Sequence, residues 1–326
     1  MIDGATYVST GRLPPTDLVR RLVDEAYERF RENTDGASSD VYPALTRVAP
    51  DLFGICVVAT TGDLYAVGDA EAEFSLMSVS KPFVFALVRE ELGALSAKER
   101  LGVNSTGLPF NSLAAIERGD DGRTNPMVNA GAIATTSLVP GESAESKWTF
   151  IQRGLSAFAG RELSLNAEIY ESASETNQRN ASIARLLQSY GRLYSGPAEA
   201  LDLYTKQCSL NVTAKDLAVM GATLADAGVN PVTRRRIVDA ETCRHTLAVM
   251  ATAGLYETSG DWLYDVGLPG KSGIGGGIVT VAPGKGGLGT FSPRLDAAGN
   301  SVRGQLVAAQ LSHSLGLDLF LSRVDG

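Results

Sequence analysis

The chain has 326 residues, 44% of them hydrophobic, which is enough for one large domain or two interleaved ones around a real core. Lys and Arg total 29 against 37 Asp and Glu, a formal net charge of −8. Without a long basic run, this balance excludes a nucleic-acid binder driven by counterion release.

Arg234, Arg235 and Arg236 form the densest basic run, but they follow the turn formers Asn230 and Pro231 with no interleaved aromatics and read as a loop flank. Cys56, Cys208 and Cys243 make no C-x-x-C pair and leave an odd thiol. No disulfide framework is expected, and the usage suits a reducing, cytoplasmic setting. Cys56 lies in the apolar run Phe53 to Ala59 and reads as a small buried hydrophobe. The start, Met1-Ile2-Asp3-Gly4, has neither a basic nor an apolar leader region, so no export is expected. No stretch of about 18 apolar residues offers a membrane span.

In chain order, Asp17 to Asn33 places Leu18, Leu22, Ala26 and Phe30 at spacings of four, an amphipathic helix capped by Thr16 or Asp17. Leu52 to Thr60 and Leu64 to Gly68, around Thr61-Gly62-Asp63, read as a hairpin. From Val79 the period turns helical, with segments 79 to 93, 126 to 138, 147 to 160, 179 to 191, 197 to 207 and 213 to 228. A helix near 239 to 254 follows. Gly275 to Ala282 and Gly287 to Ser292 then form a second hairpin around Pro283 to Gly286, and a helix from Gly304 to Val324 closes the chain. Strands at both ends with helices between them predict an α/β domain of α+β type, from 1–77 plus 229–326, with a helical domain inserted over 78–228. The sheet is expected to be mainly antiparallel and flanked by helices.

The searches for common chemistry fail at named positions. His245 and His313, the only histidines, both fall in apparent helices and build neither a metal cluster nor a Ser-His-Asp triad; satisfied histidines are the better reading. Gly270-Lys271-Ser272-Gly273 departs from a nucleophile elbow at Ile274. Gly273 to Ile278 lacks the last glycine of a dinucleotide fingerprint, and Gly284-Lys285 lacks the flanks of a phosphate loop.

One match survives. Of the seven lysines only Lys81 has a serine three residues earlier, Ser78. On a helix such positions share a face. A lysine whose pKa is lowered toward ~7 to 8 by burial can take the serine proton, and the free N–H of Ser78 can meet an oxyanion. The bland alternative is a capping serine and a lysine reaching for solvent. Lys271-Ser272-Gly273, just before a Gly-rich strand, adds the K-[ST]-G context of serine enzymes with an S-x-x-K nucleophile and a second N–H from Ile274.

These segments, together with VYPALTRVAPDLFGI (41 to 55), SVSKPF (78 to 83), NPMVNAGAI (125 to 133), RNASIA (179 to 184), YTKQCSLNVTAKDLAVMGATLADAG (204 to 228), GLPGKSGIGGGI (267 to 278) and FSPRLDAAGNSVRG (291 to 304), resemble the serine-dependent L-glutaminase family over about Tyr42 to Gly304. The resemblance implies a β-lactamase/penicillin-binding-protein-like fold and hydrolysis of glutamine to glutamate and ammonia through a Ser78 acyl-enzyme. It makes Ser78 the nucleophile, Lys81 its base and Tyr256 the proton relay. The N–H groups of Ser78 and Ile274 become the oxyanion hole, although the family usually has Val at 274. Asn129, Asn180 and Tyr204 would hold the amino-acid head group, and Tyr42 would close the pocket. From the residues alone, the better reading makes Asn129 and Asn180 helix caps and Tyr204 a core aromatic with its hydroxyl satisfied. No metal or organic cofactor is implied, and a homodimer or homotetramer is the expected assembly.

One segment departs from the family pattern Y-x-S-E-x-x-T-G-x-R-N. Between Tyr170 and Asn180, Ala173 stands at the glutamate that would pair with the substrate ammonium and Asn177 at the glycine. A charge-assisted contact is worth ~1.5 to 3 kcal/mol, roughly ten- to a hundredfold in affinity. Glu171 or Glu175 could compensate by a shift of the loop. The departure keeps open a related amide as substrate, or a weakened amino-acid-binding homologue. A β-lactamase or cell-wall peptidase fits less well without an export signal.

Overall fold

The computed structural model describes residues 12–322. Helix α1 (Thr16–Phe30) buries Val19, Leu22, Val23 and Ala26 along one stripe. Its cap is Pro15 at φ −52°, not Thr16 or Asp17, and it makes no side-chain cap bond; the proline ring already holds the angle the helix needs. Strands β1 (Gly54–Ala59) and β2 (Leu64–Gly68) form the expected antiparallel hairpin, with Gly54 opposite Gly68 and Val58 opposite Leu64. The two-residue β3 (Phe74–Ser75) follows.

Eight helices come next: α2 (Ser80–Leu92), α3 (Ala94–Leu101), α4 (Ala114–Arg118), α5 (Asn129–Ser137), α6 (Ala144–Ala159), α7 (Ala167–Thr176), α8 (Gln178–Ser189) and α9 (Pro197–Cys208). β4 (Asn211–Val212) pairs with β3. Helices α10 (Ala214–Ala225), α11 (Ala240–Ala253) and α12 (Ser259–Val266) lead into β5 (Gly270–Ser272), β6 (Gly277–Ala282) and β7 (Gly286–Phe291), and α13 (Val302–Ser314) closes the fold. The main sheet runs β2-β1-β7-β6-β5 and every pairing is antiparallel. The architecture is the expected one: a mixed α/β fold with an antiparallel sheet flanked by helices.

Alternation in the strands decides what covers each face. In β1, Ile55 and Val57 join α1 and α13 in one core, while Cys56 and Val58 meet Ala218, Val219 and Ala222 of α10 on the other. Both faces are covered, which is why the strand reads as an unbroken apolar run. Helix α10 lies within 78–228 in sequence and on the sheet in space, against β7, β6 and β1. It comes very close because its neighbours are glycines. A Cβ on Gly289 would sit 2.0 Å from the Ala214 carbonyl oxygen, and one on Gly287 2.3 Å from that of Ala218.

The weakly patterned pieces are the ones the sequence does not announce: α3, α4, α7, α12, β3, β4 and β5. Helix α7 buries only Ile169 and Ala173, too little for an apolar stripe, and is held by Asn166, whose side chain accepts the Ile169 N–H. Helix α13 stops at Ser314 because Gly316, at φ +60°, takes the left-handed turn; Val324 of the expected helix lies outside the described residues, as do Met1 to Gly4. Among the described residues no helix is long and apolar enough to cross a membrane. Gly289→Ala should overpack the contact between sheet and α10 and cost ~1 to 3 kcal/mol, seen as a lower thermal midpoint with the far-UV spectrum kept.

Candidate active site

The chain reaches Ser78 through a forced turn. The Leu76 N–H donates to the Leu210 carbonyl, 2.9 Å away, and Met77 takes φ +46°, a left-handed angle that costs a non-glycine residue energy. A single 3₁₀ turn (77–79) then runs into α2. Ser78 therefore sits in that turn and not in the first turn of the α-helix. Residues three apart eclipse in a 3₁₀ turn, so the spacing to Lys81 keeps its meaning.

Both bland readings fail. Val79 caps α2 without a side-chain bond, so Ser78 is no cap, and Lys81 is 1% exposed and reaches no solvent. The Lys81 ammonium donates to Asn129 Oδ1 at 2.6 Å and to the Met127 carbonyl at 3.4 Å. Among the described residues its hydrogen bonds run to these two oxygens and not to Ser78. Burial brings the Lys81 pKa down to about 7, opposed only by the nearby Cys208 thiol.

Tyr256 is clamped beside Ser78. Its backbone takes φ +57°, its hydroxyl donates to the Ser272 carbonyl at 3.0 Å, and a hydrogen-bond interaction with Ser78 tends to lower its pKa, which desolvation nevertheless holds above the usual tyrosine range. The Lys271 ammonium lies 4.2 Å from the ring centroid and donates to the carbonyls of Gly254 (2.9 Å) and Ser272 (2.6 Å). Desolvation first, then the Lys81 charge, pushes Lys271 well below its ordinary pKa. Phe110 packs on the tyrosine at 4.7 Å between centroids.

The glycines of GKSGIGGG let the β5–β6 turn lie against Ser78. A Cβ on Gly273 would be 3.2 Å from the Ser78 nitrogen, and one on Gly275 would be 2.4 Å from the Ser75 oxygen. Ile274 between them lines the cavity with Ser78, and among the described residues its N–H donates to no acceptor.

Opposite runs a wall of amides. Asn129, the first residue of α5, accepts from Lys81 and from the Tyr204 hydroxyl (3.1 Å) and donates to Asn180 Oδ1 at 2.8 Å. Asn180 donates to Asn177 Oδ1 at 2.6 Å, Asn177 to Thr205 Oγ1 at 2.9 Å, and Thr205 to the Leu201 carbonyl at 2.8 Å. Neither Asn129 nor Asn180 caps a helix. Tyr42 interacts through its hydroxyl with Asn180, and burial lifts its pKa above the usual range.

These groups surround a cavity of about 80 Å³ lined by Ser78, Tyr42, Asn129, Asn180, Tyr204 and Ile274. Lys81 and Tyr256 stand outside that lining, tied to it through Asn129 and Ser78. Phe110, Arg179, Thr205 and Cys208 also line it; Phe110 lies outside every quoted motif, and Thr205 lies within one that gives it no role. Ala173 lines it too, whereas Glu171 and Glu175 are exposed on the same helix and outside the lining, so α7 makes no compensating shift. A larger cleft of about 1070 Å³, between α6 and the 233–237 loop, holds none of these residues. Among the described residues no group of three or more His, Cys, Asp or Glu could hold a metal.

A family profile described as Glutaminase matches residues 36–320. "Glutaminase 2" of Yersinia pestis is 67% identical over 316 residues, covering 97% of this chain and 93% of that protein. A solved structure of a probable glutaminase superposes with a TM-score of 0.93 at 43% identity, covering 95% of this chain and all of the other. The protein named Mglu, solved in its glutamate form, gives 0.87 at 37% identity over 96% of this chain and 71% of its own. The chain belongs to the glutaminase family.

Proposed function

We propose that the protein hydrolyses L-glutamine to L-glutamate and ammonia through a γ-glutamyl ester on Ser78. The observation that carries this reading is a wholly buried amine, Lys81, with a pKa near 7, one helical turn from a buried serine beside a protonated tyrosine. A neutral Lys81 takes the Ser78 proton as Oγ attacks the carboxamide carbon. The oxyanion meets the N–H groups of Ser78 and Ile274. Tyr256, kept protonated at neutral pH by desolvation, gives its proton to the departing nitrogen and regains one from the Lys81 ammonium. Water then enters along the reverse path and frees glutamate.

Tyr42, Asn129, Asn180 and Tyr204 hold the head group in this scheme; their shared hydrogen bonds support a fixed, prearranged wall. Three buried, unpaired thiols support a cytoplasmic site of action. A homodimer or homotetramer is the proposed assembly, and light scattering of the purified protein tests it.

Ammonia release from glutamine tests the activity directly: Ser78→Ala should lower it by roughly 10³-fold or more, and undiminished release would reject the ester. Because Lys81 must be neutral to act, kcat/KM should rise through pH about 7, and Lys81→Met should remove that limb along with ~10²- to 10⁴-fold of the rate.

The same amine has a stability cost of known sign. Its folded pKa lies below its unfolded one, so the unfolded chain binds the extra proton between the two values and the penalty is greatest below pH about 7, fading as pH rises toward the ordinary amine value. Lys81→Met should therefore gain thermal midpoint over the wild type at pH 6, and gain less at pH 9. An equal gain at both would contradict the buried charge.

A further inference from the structure

The cavity has an unusual charge pattern for a site that takes a zwitterion. Among the described residues Arg179 is the one charged side chain in its lining, and no carboxylate is among the lining groups. The Arg179 Nε donates to the Asn111 carbonyl at 2.9 Å, and among the described residues its two terminal nitrogens have no acceptor. The amide wall gives the direction along the cavity, since it begins at Lys81 and runs through Asn129 and Asn180 to Asn177 at the end of α7. An amide bound with its carbonyl carbon at Ser78 extends its far end along this wall. Ala173, one helical turn before Asn177, presents a methyl group there, 2% exposed.

An ammonium at that end meets only neutral acceptors. The Oδ1 atoms of Asn177 and Asn180 each already accept one amide N–H, leaving one lone pair apiece. Such contacts lack the opposite charge that a carboxylate would supply. A substrate carboxylate, by contrast, has the free face of Arg179.

We infer that this enzyme selects its substrate by the carboxamide and the α-carboxylate and is indifferent to the α-ammonium, so that five-carbon amides lacking that group are also substrates, with Ala173 as the residue that determines it. This rests on the glutaminase reading.

The experiment compares L-glutamine with 4-carbamoylbutanoate, which differs only by the missing α-ammonium, following ammonia from the full-length enzyme and from Ala173→Glu and Ala173→Gln. The wild type should turn over the two with kcat/KM values within about tenfold of each other. Ala173→Glu should favour glutamine by a further ten- to a hundredfold, and the neutral Ala173→Gln should not. A wild-type preference for glutamine above tenfold overturns the inference and leaves the glutaminase reading standing. Release of ammonia from neither substrate removes the reading itself, and the inference with it. If Ala173→Glu does not fold, the wild-type pair decides alone; if it folds without sharpening discrimination, Ala173 is not the determining residue.

Discussion

Everything at the site depends on one amine kept out of water. Among the described residues Lys81 has no carboxylate partner; it is held by the carbonyl oxygens of Asn129 and Met127. Neutral oxygens satisfy the donors without supplying the opposite charge that would keep the amine protonated, so desolvation prevails and the proton is loosely held near pH 7. An Asp at position 129 would leave the geometry almost unchanged and reverse this balance. The choice of amide over acid is therefore as much a part of the chemistry as the lysine.

The fold supplies the rest by close approach. Helix α10 sits on glycines of β7, and the β5–β6 turn sits on glycines against Ser78. In both places a hydrogen instead of a methyl lets main chain meet main chain. Met77 and Tyr256 hold left-handed backbone angles on either side of the nucleophile, local strain that the surrounding packing must overcome. Tyr256 in particular is fixed from three sides, by the Ser272 carbonyl, the Lys271 ammonium and the Phe110 ring.

What could be read from the sequence follows from how strongly each feature is patterned. The hairpin over Thr61-Gly62-Asp63 and the helices with full apolar stripes were visible because periodicity and turn chemistry agree there. Helix α7 was not, since it is mostly polar and its cap, Asn166, lacks an apolar run behind it. The S-x-x-K spacing pointed to Ser78 and Lys81, and motif matches brought Asn129, Asn180, Tyr204 and Ile274 to one cavity. Phe110, Thr205 and the amide link through Asn177 could not be found this way, because they come together only through long-range packing of α7, α8 and α9 and the loop before α5.

The row of amides has a polarity with a physical origin. The two ends of an asparagine side chain are nearly the same shape, so shape alone would let each one rest either way round. An ammonium can only donate, and that fixes the oxygen of Asn129 toward it; Asn180, Asn177 and Thr205 must then fall into line. A neutral amine can accept as well as donate. When Lys81 gives up its proton one reason for that order weakens, and the Tyr204 hydroxyl, which donates to the same Asn129 oxygen, is the donor that still holds the row in its sense.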